Sequence, residues 1–101
     1  MTKEALEDCR QKLREINEQE EKLSSFQRKA HRLAEETFYE IQSIVKKNAE
    51  TNEPLQLARQ ELGKLEAGFL EEITYEKRKL TRQRQDYENL YRKLKLQLDD
   101  E

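Results

Sequence analysis

Cysteine and histidine are the side chains best suited to nucleophilic and acid–base work near neutral pH, and this sequence carries one of each, Cys9 and His31. A nucleophile and its base must lie within hydrogen-bond reach. On a single helix these two would stand about 33 Å apart at 1.5 Å per residue. Carboxylates are plentiful, but no Glu-x-x-His pair is present to build a bundle-core metal site. Neither HExxH, CxxC nor a Gly-rich phosphate loop occurs. The expectation is therefore a non-enzyme with no catalytic residue, no cofactor and no metal. Cys9 then reads as a small seam residue and His31 as a solvated flank residue. A lone cysteine also excludes an internal disulfide framework.

A second constellation is the basic run Lys77-Arg78-Lys79 with Arg82 and Arg84, the kind of helix that can contact nucleic acid. It has an acidic counterpart in Glu15, Glu18, Glu20 and Glu21. The net charge is −2, with ten basic and eleven acidic residues in each half. A solvated face neutralised within the chain is the better reading, and no nucleic-acid partner is expected. No apolar run approaches the roughly 18 residues of a bilayer span, so no membrane insertion is expected. The first residues lack a secretory signal's apolar core, which points to the cytoplasm.

What positions these residues is a helical repeat. The 101 residues suit one small domain, 1–101. Hydrophobic residues make up 34% and charged ones 42%, with two Gly and one Pro; that balance fits long helices with a narrow apolar seam. Between Leu6 and Asn48 one seam row is Leu6, Leu13, Glu20, Gln27, Ala34, Ile41 and Asn48. The other is Cys9, Ile16, Leu23, Ala30, Thr37 and Ile44. Pro54 suits the first position of a second helix, whose seam is Leu55, Ala58, Leu62, Leu65, Phe69, Ile73, Glu76, Leu80, Gln83, Tyr87, Leu90 and Leu94. Folding the chain at about 49–54 pairs residues whose numbers sum to about 103. Cys9 then meets Leu94, Leu13 meets Leu90, Glu20 meets Gln83, and Arg28, Lys29 and Arg32 fall beside Glu71, Glu72 and Glu76. The expected fold is all-α, an antiparallel two-helix hairpin with helices at about 2–49 and 54–98. Gly63 and Gly68 mark either a close helix approach with a slight bend or two tolerated solvent-facing glycines.

A two-helix hairpin needs one narrow stripe, and this chain has more. Phe26, Leu33, Phe38, Tyr39 and Val45 widen the first stripe; Leu57, Leu70, Tyr75, Tyr91, Leu96 and Leu98 widen the second. The surplus either thickens the hairpin's own core or forms a second face buried against other helices. Aromatic anchors favour the second reading, and the ten of these residues other than Leu96 are the candidate partner-binding set.

The length, the hairpin and the segments Leu70-Glu71-Glu72-Ile73-Thr74-Tyr75-Glu76-Lys77-Arg78-Lys79-Leu80 and Asp86-Tyr87-Glu88-Asn89-Leu90-Tyr91 carry a resemblance. The chain resembles the small α-helical proteins encoded beside LXG-domain toxins of Gram-positive type VII secretion, which share the WXG/ESX hairpin shape. It departs from the WXG pattern at the turn, where Asn52-Glu53-Pro54 stands in place of Trp-x-Gly. The resemblance implies an adaptor that binds the helical N-terminal LXG domain of a toxin and helps deliver it to the secretion machine. A second small helical protein can belong to that complex, and export with the toxin is part of the implication. That family's export signal, an aromatic followed four residues on by an acid, is missing: Phe69 is followed by Ile73, Tyr75 by Lys79, Tyr87 by Tyr91 and Tyr91 by Lys95. The signal would then lie on another subunit. The alternative function is structural, a coiled-coil stalk or scaffold such as an export-apparatus hairpin or a homodimeric four-helix bundle.

Overall fold

A computed structural model describes residues 2–48 and 50–100. Two α-helices, α1 (Thr2–Asn48) and α2 (Glu53–Asp100), account for almost all of them. They pack against each other as an antiparallel helical hairpin. Ala49, expected as the last helical residue before the turn, lies outside the described residues, as do Met1 and Glu101. The Asn52 carbonyl accepts the Gln56 N–H at 3.0 Å, so Asn52 is the N-cap of α2 and Glu53, not Pro54, is its first helical residue. Pro54 still falls where a missing N–H costs nothing. At the other side of the turn, Asn48 Nδ2 donates to the Ile44 carbonyl at 3.1 Å, satisfying one of the free C-terminal acceptors of α1.

The hairpin divides into two compact units, each taking one stretch from either helix: one up to Leu23 and from Tyr75, the other Ser24–Thr74. The first unit is centred on buried Leu6, Cys9, Ile16 and Leu80. The Cys9 thiol donates to the Tyr87 carbonyl at 2.9 Å, and burial pushes the Cys9 pKa up. Arg84 pairs with Glu20 and donates to Asn17 Oδ1 at 3.0 Å. Arg10 lies against the Tyr91 ring, donates to its hydroxyl at 3.1 Å and holds Glu7 at 2.7 Å. The mirror rule places Glu20 opposite Gln83; its partner is the next residue. Around Glu20 the register is close to the expected one, whereas Cys9, expected opposite Leu94, reaches the Tyr87 carbonyl instead.

The turn unit departs further. Its buried residues are Phe38 and Ile73. The mirror rule sets His31 opposite Glu72 and Glu35 opposite Gly68. Instead His31 Nδ1 lies 2.5 Å from Glu66 Oε1, and Arg59 donates to Glu35 Oε1 at 3.2 Å. The pairs expected between Arg28, Lys29, Arg32 and the Glu71–Glu76 stretch do not form among the described residues. Every partner lies nearer the turn on α2, so α1 runs on past the start of α2. That overhang leaves Ile44, expected in the seam, 61% exposed. The glycines make no close approach: a Cβ on Gly63 or Gly68 would meet nothing within 4 Å.

Candidate partner-docking face

The turn unit has two unlike edges. On one, Arg59 stacks 3.7 Å from the Phe38 ring centre while its guanidinium holds Glu35. The His31–Glu66 pair continues that edge. Carboxylate contact raises the His31 pKa, first through the hydrogen bond to Glu66 and then through its charge. Charged side chains thus close this side of the seam over its apolar floor.

The other edge is open. Phe26, Ala30, Leu33 and Thr37 follow one another at steps of four, three and four, which aligns them along one side of α1. Leu62, Leu65 and Phe69 do the same on α2. Together with Lys29, Ala34 and Glu66 they line a shallow groove of about 450 Å³. Leu33 is 64% and Leu65 70% exposed, with Phe26 and Phe69 partly exposed beside them. Single exposed leucines are ordinary on any surface. A contiguous apolar groove with a polar rim marks a place where another molecule binds.

The ten candidate residues fall on both sides of this division. Phe26 and Leu33 line the groove. Phe38 is the main correction: at 8% exposure it is core, sealed by Arg59 and packed edge-on against Tyr39 with ring centres 6.4 Å apart. Val45 is half-buried, and Tyr39 and Leu57 are exposed away from the groove lining. Leu70 borders a smaller cleft with His31 and Glu66. In the other unit Tyr75 is exposed with the Lys79 ammonium 5.3 Å from its ring centre. Tyr91 is occupied by Arg10, and Leu98 is half-buried.

Six groove residues belong to the expected seam rows, Ala30, Ala34, Thr37, Leu62, Leu65 and Phe69, and of these Leu65 and Phe69 are the exposed ones. The signal for their true position was the four-then-four step from Leu65 to Phe69 to Ile73. Each four-residue step advances about 40° beyond a full turn, so with Ile73 facing inward Leu65 stands about 80° round the helix. The row Ala30, Thr37, Ile44 drifts in the opposite sense, each heptad falling about 20° short of two full turns, which adds to the exposure that the overhang gives Ile44.

Within the basic run Arg84 pairs with Glu20 and Lys79 with Glu76 at 3.7 Å, and Lys77 too has a partner. No group of His, Cys, Asp and Glu among the described residues could hold a metal ion, and no described helix is long and apolar enough to cross a membrane. No family profile, no curated protein and no solved structure matches this chain. What bears on function is the geometry of these faces.

Proposed function

We propose that this protein is a helical adaptor whose turn unit binds a helix of another protein in the groove between Leu33 and Leu65. The observation that carries the reading is the asymmetry of that unit. One edge is sealed by charged side chains over Phe38, and the other leaves four large apolar side chains in water. Covering such a groove with an amphipathic helix completes a three-helix layer and removes apolar area worth about 25 cal/mol per Å² from water. No nucleophile–base pair accompanies it, so binding is the proposed activity.

The resemblance to LXG-associated proteins supplies the partner class: the long helical N-terminal domain of an LXG toxin, on the way to a type VII secretion machine. Co-expression with such a domain should give a complex that survives gel filtration. Leu33→Glu and Leu65→Glu should each dissolve it while leaving helical circular dichroism intact. A stable complex unaffected by both substitutions would move the docking surface elsewhere. A concentration-dependent homodimer that ignores the toxin domain would favour the scaffold reading instead.

A further inference from the structure

Resting on the docking groove just proposed, the remaining question is the chemistry of the helix that fills it, and the charges along the rim bear on this. On α2, Glu61 lies four residues before Leu65 and Glu72 three after Phe69, which sets both acids on the groove side of the helix. On α1, Glu40 stands seven residues after Leu33 on the same row. Glu66 lines the groove itself. Glu36, three residues after Leu33, joins these acids on the groove side of α1, and the base that lines the groove is Lys29, whose ammonium lies 6.0 Å from the Phe26 ring centre. Glu61 has Lys64 at 3.6 Å and Glu66 has His31, whereas Glu40 and Glu72 make no ion pair among the described residues.

We infer that the occupant is an amphipathic helix with Lys or Arg on both flanks of its apolar stripe, not a second copy of this chain. A two-fold pairing of the groove with itself would bring the two acidic rims together, and like charges across an interface select against that pairing. A basic-flanked helix meets Glu61 and Glu72 on one side and Glu40 on the other. The apolar floor supplies adhesion, and the rim supplies selection and speed of association.

The test uses the full chain and two labelled amphipathic peptides of about 18 residues, five turns. They share one leucine stripe and differ only in flanking Lys or flanking Glu, with affinity read by fluorescence anisotropy. The Lys-flanked peptide should bind roughly tenfold tighter at ~0.05 M salt, and the gap should shrink at ~0.5 M. The double variant Glu61→Lys with Glu72→Lys should lose or invert that preference, and Leu65→Glu should abolish binding of either peptide. Equal affinities, or a preference the charge reversal leaves unchanged, would overturn the inference while the docking groove stands. Binding of neither peptide, with the chain monomeric, would remove the groove reading itself. Self-association of the chain that Leu33→Glu abolishes would make a second copy the occupant and overturn the proposal.

Discussion

At the scale of single residues, Phe38 and Arg59 are a stacked pair in which a charged side chain covers a core ring. Phe38→Ala removes the one buried aromatic side chain among the described residues and should cost about 3 kcal/mol. Arg59→Ala uncovers the ring and should cost about 1 kcal/mol, both measurable by urea unfolding. Comparable losses from the two would mean that the ring is not core. Gly63 and Gly68 sit mid-helix with open space where a Cβ would go and without positive φ. Gly63→Ala should therefore raise stability by about 1 kcal/mol through helix propensity alone; a drop would reveal packing that the open space does not suggest. His31 contributes with a definite sign. Its folded pKa lies above the ordinary 6.5, so the stability from Glu66 is fully present below about 6.5 and fades as pH rises through the raised value. The melting-temperature advantage of wild type over His31→Gln should be larger at about pH 5.5 than at about pH 8.5. An advantage independent of pH would show that the charge on His31 adds nothing.

At the scale of the helices, the determining quantity is how far a heptad drifts around a straight α-helix. Drift rolls Leu65 outward and adds to the exposure of Ile44, which turns part of the expected seam into surface. Leu33 and Leu65 are largely in water in the free chain. Replacing either with Glu should change unfolding free energy by no more than about 0.5 kcal/mol, as judged by denaturant titration. A larger loss from either substitution would mean that the side chain is already buried in the free protein. The two helices and the turn were legible in the sequence, because an unbroken heptad from Leu6 and the lone Pro54 leave little choice. Phe26 and Leu33 were legible as surplus for the same reason. Phe38 was not, since its place in the core depends on rotation and on the reach of Arg59 from the other helix.

At the scale of the whole molecule, the accessible surface is 8352 Å² for 12.2 kDa, against about 6,100 Å² for a compact globular monomer of that mass. The buried hydrophobic residues are Leu6, Cys9, Ile16, Phe38, Ile73 and Leu80, with no buried polar or charged side chain among the described residues. So thin a core implies modest stability for the chain alone. A ligand that binds only the folded state adds stability by mass action, about 2.7 kcal/mol at a hundredfold excess over its Kd. Melting temperature should therefore climb with the concentration of a basic-flanked helical peptide and stay flat with its acidic twin. A flat response to both would mean that the excess surface serves something other than this mode of docking.

Local pattern alone determined that the chain forms two long helices around a narrow seam, that they fold back on each other, and that more apolar surface is present than a hairpin requires. Those conclusions depend on period, on proline and on charge balance, all of which are properties of neighbours along the chain. Which apolar residues stay in water was decided only by tertiary structure. Registration of α1 against α2 in the turn unit, and the covering of Phe38 by Arg59, depend on where side chains far apart in sequence come to rest. A helix repeats every 3.6 residues while the pattern repeats every seven. The mismatch leaves rotation undetermined until a second helix packs against the first.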